Sequence, residues 1–193
     1  AFIHENNIIH TDLKPENILI KKNNENKDNP SFQVCISDLG NGCTIEEHVT
    51  SNVGTTEYRA PENIFNSPYN EKMDIWALGC IVFELLTGDC LFDPHSYFED
   101  DDEEENDSDE SDSGNGSDSD GEDEDGSDSE SSEETDINER FMIDHIQLYL
   151  MHSTLGKIPK YITRNGKYFK DFYMPQGNLR KLDIPIEKEK MSI

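Results

Sequence analysis

A 38-residue segment, 99–136, constrains the fold of this chain more than any other feature of its sequence. Asp and Glu occupy 22 of its positions, and it contains no Lys, no Arg and no apolar side chain. Such a segment cannot bury enough apolar surface to offset the entropy lost on ordering, and its like charges repel one another. We therefore expect 99–136 to be a disordered insert. The flanking parts, 1–98 and 137–193, are expected to form one domain.

The charge of the chain excludes several classes of function. The formal net charge is −27, of which the insert supplies −22 and the other 155 residues −5. An acidic chain has no electrostatic footprint for binding nucleic acid or an anionic membrane directly. No apolar run is long enough to span a bilayer, and the first residues lack the pattern of a signal peptide. We expect an intracellular monomer, cytoplasmic or nuclear, without a membrane or nucleic-acid partner.

The cysteines favour free thiols over a metal site. The chain has four cysteines with no CxxC pair, and its six histidines are scattered. We therefore predict no zinc site and a reducing compartment. Cys80 lies within an apolar helical run, where we expect it to pack as a small core hydrophobe.

The hydrophobic pattern predicts one hairpin and two helices. Residues 18–20 and 32–37 have strand patterns and are joined by a polar, turn-rich stretch. Residues 71–87 are apolar on nearly every face, which predicts a buried central helix ending at Gly88. A second helical pattern covers residues 137–156.

Three short motifs contain the residues best suited to chemistry. They are HTDLKPEN at 10–17, DLG at 38–40 and APE at 60–62. Phosphoryl transfer needs a carboxylate that orients the attacking hydroxyl, a cation near the phosphoryl oxygens, and oxygen ligands for Mg²⁺.

The motifs can supply all three requirements of phosphoryl transfer. Asp12 provides the carboxylate and Lys14 the cation. Asn17 and Asp38 provide oxygen ligands. Pro15 stiffens the loop that carries the first three of these residues.

In this order the motifs resemble those of the large lobe of a eukaryotic-type protein kinase. The resemblance implies an α+β fold, mainly α-helical with short β hairpins at the catalytic cleft, and ATP and Mg²⁺ as cofactors. It makes Asp12 the catalytic base and assigns Lys14 to the γ-phosphate. It assigns Asn17 and Asp38 to Mg²⁺, and Thr55 matches the threonine that bridges the catalytic Asp and Lys.

Four further residues have structural roles, three of them implied by the same resemblance. Asp74 matches the buried carboxylate that holds the catalytic-loop backbone from the central helix. His10 stands next to the catalytic Asp, where a proton relay is the alternative, but the resemblance makes it a packed core residue. Gly40 lets the backbone turn sharply behind Asp38. Glu62 matches a residue whose arginine partner lies in later helices, so we expect it to be unpaired in this chain.

Two stretches are similar to the SR-protein kinases in particular, with the LAMMER-type dual-specificity kinases second. The first comprises HTDLKPENIL, SDLGNGC and FELLTGDCLFDPHS, and the second runs from Asp144 as DHIQLYLMHSTLGKIPKYITRNGKYFKDFY. Thr11 stands where most protein kinases have an arginine that pairs with an activation-loop phosphate. SR-protein kinases act without that phosphorylation, which agrees with Thr11.

SR-protein kinases bind Arg/Ser-rich substrates partly through an acidic groove, so the resemblance implies such basic proteins as partners. Asp89 and Asp144 fall at groove positions, and Met151 replaces a third groove carboxylate. Excess surface carboxylate would also attract Arg-rich chains. The alternative is that both aspartates are ordinary surface charges. Departures at Thr56 and at 60–62 bear on the choice of residues next to the phosphorylated serine.

The role of the insert stays open. It lies beside the expected groove and could compete with basic substrates, recruit them, or serve only as a solubilising loop. Four of its serines have an acid three residues later and could be sites for an acid-directed kinase: Ser117, Ser119, Ser127 and Ser131.

Other kinase features are missing from the sequence. It contains no Gly-rich phosphate loop and no lysine in a V-A-I-K-like context, and 137–193 stops before the final helices of a kinase large lobe. We therefore expect a partial catalytic domain without the N-lobe that is inactive by itself. The alternatives are a non-catalytic kinase lobe that binds basic proteins through an acidic groove, and a LAMMER-type dual-specificity kinase.

Overall fold

The computed structural model describes residues 2–23, 31–46, 53–98, 129–163 and 165–181. Its helices are α1 (Phe2–Glu5), α2 (Pro61–Ile64), α3 (Lys72–Thr87), α4 (Ser129–Leu155), α5 (Lys160–Thr163) and α6 (Phe169–Phe172). Its strands are β1 (Ile8–Ile9), β2 (Ile18–Asn23), β3 (Ser31–Ile36) and β4 (Cys43–Thr44). Short 3₁₀ turns occupy Pro15–Asn17, Thr56–Tyr58 and His95–Tyr97.

The strands form two small antiparallel sheets that flank the loop between β1 and β2. Strands β2 and β3 pair from Ile18 opposite Ile36 to Asn23 opposite Ser31, which confirms the predicted hairpin. Strand β1 pairs with β4. The loop carrying the HTDLKPEN motif thus begins in one sheet and ends in the other. The prediction of an α+β fold with short hairpins is confirmed.

Helix α3 ends where the sequence predicts, but it is not buried all round. Gly88 adopts a left-handed φ of 88° and its N–H donates to the Glu84 carbonyl oxygen, which is the expected C-terminal cap. The buried positions follow one stripe at helical spacing: Met73, Asp74, Ala77, Cys80 and Ile81. The opposite face is exposed in the described structure, so the predicted burial on every face is wrong. The reason is that an apolar sequence permits burial, whereas only a neighbouring element provides it.

Helix α4 begins at Ser129, eight residues before the predicted start at 137. The last eight residues of the predicted disordered insert, 129–136, therefore belong to this helix. Acidic residues are favoured near a helix N-terminus because they complement the helix dipole, which is a physical reason for the earlier start. The rest of the insert, 99–128, lies outside the described residues.

The core joins the two flanking parts of the chain. Its largest buried cluster combines side chains before the insert with side chains after it: Ile64, Phe65, Cys80, Phe92, Leu148, Met151, Phe172 and Tyr173. Cys80 is 3% exposed, as predicted for a core hydrophobe. All four cysteines are free. No described helix is long and apolar enough to cross a membrane.

One glycine is required by a close approach between two backbone segments. A Cβ built on Gly166 would lie 2.5 Å from the Cβ of Phe65 and 2.9 Å from Oγ of Ser67. Gly166→Ala should therefore force a shift in a packed region and lower the free energy of unfolding by about 1–3 kcal/mol. Urea denaturation of the complete natural protein measures this change.

Gly79 is the matched control for the same substitution. It lies within α3, and a Cβ there would have no atom within 4 Å. Gly79→Ala should raise the free energy of unfolding by roughly 0.5–1 kcal/mol because alanine is the better helix former. Equal stability of the two alanine variants would contradict the packing described for Gly166.

Candidate active site

One buried carboxylate anchors the loop 10–17 to α3. Asp74 is 2% exposed, and its two oxygens accept the backbone N–H groups of His10 and Thr11 at 2.9 and 3.0 Å. The ring Nε2 of His4 lies 2.7 Å from Oδ2 of the same carboxylate. Thr11 has a φ of 71°, which is rare for a β-branched residue, so these bonds hold a strained turn in place.

The His10 side chain holds backbone groups on both sides of its ring. It is fully buried, and Nε2 lies 2.8 Å from the carbonyl oxygen of Ser37. Nδ1 accepts the backbone N–H of Asp12 at 3.3 Å. With both ring nitrogens occupied in this way, the side chain positions the loop and has no nitrogen left to relay a proton.

Asp12 has one occupied carboxylate oxygen and one open one. Its Oδ1 accepts the backbone N–H of Thr55 at 2.9 Å and the Thr55 hydroxyl at 2.7 Å. Its Oδ2 lies 3.8 Å from Nζ of Lys14. Oδ2 is therefore the oxygen available to a substrate hydroxyl, in a setting made positive by the ammonium group. Within the described residues Thr55 bonds to Asp12 and not to Lys14, so the structure shows one half of the predicted bridge.

Asn17 and Asp38 are brought close along the backbone by Ser37. The backbone carbonyl of Asn17 accepts both the N–H and the hydroxyl of Ser37, at 2.9 and 3.2 Å. Asp38 follows directly, at a left-handed φ of 60°, and its Oδ1 accepts the N–H of Gly40 at 3.2 Å. A Cβ on Gly40 would lie 3.1 Å from that oxygen, so glycine fits this tight turn.

The two side chains offer a donor set that fits a divalent cation. Nδ2 of Asn17 donates to the Asp12 carbonyl oxygen at 2.9 Å, which leaves its Oδ1 as an acceptor. Asp38 keeps Oδ2. Within the described ranges, no group of three or more His, Cys, Asp or Glu side chains could hold a metal by itself. An amide and a carboxylate therefore suit a hard cation that completes its shell with phosphate oxygens and water.

Asp144, which the sequence predicts as a docking acid, is buried and paired in the described structure. It is 8% exposed, and its Oδ1 accepts a 2.7 Å charge-assisted hydrogen bond from Nη1 of Arg59. Arg59 also donates from Nε and Nη2 to the carbonyl oxygen of Gly54. Burial raises the pKa of the Asp144 carboxyl, and the Arg59 guanidinium opposes that rise.

A substrate arginine would have to displace Arg59 to reach Oδ1 of Asp144, and the docking role of Asp144 stays a prediction. The pair joins α4 to the segment 53–60. A second bond strengthens that junction, because Nε2 of Gln147 donates to the Thr56 carbonyl oxygen at 2.9 Å. Helix α4, which follows the insert in sequence, therefore holds the segment 53–60 that positions Thr55.

Asp89 and Glu62 occupy contrasting surroundings. Asp89 is exposed just beyond α3, and among the described residues its carboxylate has no bonding partner. Its docking role stays a prediction. Glu62 is half-buried, and burial raises the pKa of its carboxyl. Among the described residues no cation lies within 4.0 Å of Glu62.

Sequence reasoning missed three residues that build this site: His4, Ser37 and Arg59. For Arg59 a signal existed, because an arginine beside the buried residues Ala60 and Pro61 must find a carboxylate partner. The sequence carries no comparable signal for His4 or Ser37, whose roles depend on which backbone groups lie next to them.

Several known proteins share parts of this sequence. Residues 1–144 match the family model described as the protein kinase domain. The chain is similar to the serine/threonine-protein kinase SKY1 of Saccharomyces cerevisiae, with 31% identity over 97% of this chain and 19% of that protein. It is 47% identical to protein kinase dsk1 of Schizosaccharomyces pombe over 38% of this chain and 14% of that protein. It is 37% identical to dual specificity protein kinase CLK2 of Mus musculus over 49% of this chain and 21% of that protein. The chain spans about a fifth of the length of these relatives, or less.

Proposed function

Because the chain belongs to the protein kinase family, with the α+β fold of a kinase large lobe, we propose that the natural protein transfers the γ-phosphoryl group of ATP to serine hydroxyls. The observation that carries this proposal is the way in which the two carboxylate oxygens of Asp12 are bonded. Thr55 occupies one of its oxygens with two hydrogen bonds, and the other oxygen stays open beside Lys14. A carboxylate held in this way is oriented before a substrate arrives.

In this proposal Oδ2 of Asp12 accepts the proton of the attacking serine hydroxyl and orients its oxygen. Lys14 stabilises negative charge on the transferring phosphoryl group. Both side chains are half-buried, so their charges act in a medium less polar than water.

The protein kinase domain implies the use of ATP and a divalent metal, and we propose Mg²⁺. ATP supplies the phosphoryl group, and the metal neutralises the phosphate charges. Asn17 and Asp38 would hold the metal through their free oxygens. Because Asn17 is also bonded to the Asp12 backbone, the base and the metal ligands belong to one rigid unit.

Thr11 supports activity without phosphorylation of the activation segment. Its hydroxyl donates to the carbonyl oxygen of Asn41 at 2.9 Å, which ties the loop 10–17 to the residues after Asp38 in the unmodified chain. A neutral hydroxyl also offers no charge to pair with a phosphate.

The proposed substrates are basic, Arg/Ser-rich proteins. The support comes from the similarity of two stretches to SR-protein kinases and from the acidic charge of the chain, which favours encounters with Arg-rich partners. Asp89 is the docking acid that the structure leaves exposed. Asp144 is already paired with Arg59, so a substrate arginine would have to compete with Arg59 for it.

The test is transfer of labelled phosphate from γ-labelled ATP to an Arg-Ser repeat peptide by the complete natural protein. We expect kcat/KM for this peptide to exceed that for a Gln-Ser repeat by about tenfold or more, since charge complementarity governs encounter. Asp38→Ala should abolish most of the transfer by removing a metal ligand. Asp171→Ala, at an exposed position on α6, is the control and should leave transfer unchanged.

The outcomes separate the remaining alternatives. Binding of the Arg-Ser peptide with no transfer in any preparation would overturn the enzyme and leave a non-catalytic lobe that binds basic proteins. Phosphotyrosine after autophosphorylation, identified by mass spectrometry, would favour a dual-specificity kinase of the LAMMER type. Equal transfer to both peptides would retain the kinase and reject the basic substrate class.

A further inference from the structure

A strongly basic surface follows helix α4 in this acidic chain. Residues 157–181 contain seven of the 16 basic residues of the chain and a single acid, Asp171. Within this stretch we define the basic surface as Lys157, Lys160, Lys170, Arg180 and Lys181, all of which are exposed.

Two hydrogen bonds bring the two ends of this stretch together. Nζ of Lys157 donates to Oδ1 of Asn178 at 3.3 Å, and Nε of Arg180 donates to the backbone carbonyl oxygen of Lys170 at 3.0 Å. Gly177, with a left-handed φ of 84°, makes the turn that places Asn178 beside Lys157. The cations are therefore neighbours in space as well as in sequence.

A cavity of about 540 Å³ lies within the basic surface. Lys157 and Lys160 line it, together with Pro175 and Gly177. The two lysines therefore line one concave site, where an acidic side chain can approach both of them.

The cations of the basic surface lack acidic partners in the described structure. The ion pairs among the described residues involve other cations: His4, Lys14, Arg59 and His95. Five like charges so close together repel one another, and an anionic partner would relieve that repulsion.

We propose that the acidic segment 99–128 of the same chain docks on the basic surface. The segment is the strongest concentration of negative charge in the sequence, and it is tethered to the start of α4, whose other end leads directly to Lys157. The tether raises the local concentration of the acidic partner to about millimolar, so weak individual contacts suffice. This inference goes beyond the proposed function and does not depend on it.

The dimensions allow this contact. Helix α4 has 27 residues and is about 40 Å long at 1.5 Å per residue. The 30 residues of 99–128 have a contour length of about 100 Å, so a loop that leaves and returns reaches about 50 Å.

The test is zero-length carbodiimide cross-linking of the complete natural protein, which joins a carboxylate to a lysine only where the two touch. Cross-links from 99–128 should be concentrated on Lys157, Lys160 and Lys170. Their yield should fall at least fivefold between about 20 mM and 500 mM salt, because screening weakens exposed ion pairs. Mixing isotope-labelled and unlabelled protein separates links within a chain from links between chains.

Two triple variants make the test specific. The variant Lys157→Gln, Lys160→Gln, Lys170→Gln removes three exposed cations of the basic surface. The control Lys21→Gln, Lys22→Gln, Lys72→Gln makes the same charge change at exposed lysines elsewhere. We expect the first to lower linkage to Lys181, the lysine of the basic surface that it retains, at least fivefold and the control to change it less than twofold.

Three results would overturn the inference. They are cross-links spread evenly over all exposed lysines, links formed only between chains, and equal linkage to Lys181 in the two triple variants. The experiment needs neither ATP nor activity and can be repeated on an Asp12→Asn protein. Its failure is therefore distinct from failure of the proposed kinase activity.

Discussion

Replacing Asp12 with Asn should lower kcat for serine phosphorylation about 10²–10⁴-fold and leave the protein folded. The Asn side chain keeps Oδ1, so the two bonds from Thr55 can persist. An NH₂ group takes the place of Oδ2, and this group cannot accept the proton of the attacking hydroxyl. Because the metal ligands are untouched, KM for ATP should change little.

Steady-state kinetics with ATP and an Arg-Ser peptide measure this effect, and urea denaturation shows that the variant is folded. Asp171→Asn makes the same chemical change at an exposed position on α6 and should retain full activity. Thr55→Val should have an intermediate effect of about 10-fold, because it removes one hydrogen bond to a charged group but spares the base. An Asp12→Asn enzyme with activity within threefold of the parent would show that Oδ2 is not the proton acceptor.

The positions of the candidate site residues were predictable because these residues lie in short, contiguous motifs. Within the loop 10–17, spacing alone places the carboxylate, the cation and the amide on one turn of chain. Asp38 follows β3, which pairs with β2, the strand that begins directly after this loop. The hairpin and the end of α3 at Gly88 were predictable for the same reason, since strand alternation and a glycine cap are local signals.

The contacts that hold the site together were not predictable from local signals. Arg59 pairs with Asp144 across 85 positions of sequence, and His4 contacts Asp74 across 70. Sequence shows that a buried charge needs a partner but not which residue provides it. The same limitation explains where the structure differs from the expectation. The sequence does not show that Asp144 has Arg59 as a partner, and the apolar pattern of α3 does not show which neighbours cover each of its faces.

Replacing Asp74 with Ala should lower the free energy of unfolding by about 3–5 kcal/mol. The carboxylate is 2% exposed and accepts three hydrogen bonds, two of them from backbone N–H groups in the loop 10–17. Alanine would leave those donors buried without acceptors. The strained φ of Thr11 would lose the bonds that maintain it, so the loop should relax even where the protein stays folded.

Asp74→Asn separates the lost hydrogen bonds from the lost volume. The amide fills nearly the same space, but its NH₂ group would face a backbone donor, so we expect a loss of about 1–3 kcal/mol for one unsatisfied N–H group. Asp89→Asn, at the exposed end beyond the same helix, is the control and should change stability by less than about 0.5 kcal/mol. Urea denaturation ranks the three variants. If Asp74→Asn were as stable as Asp89→Asn, the loop would not depend on the carboxylate. In that case the orientation of Asp12 would have to come from Thr55, His10 and Asn17.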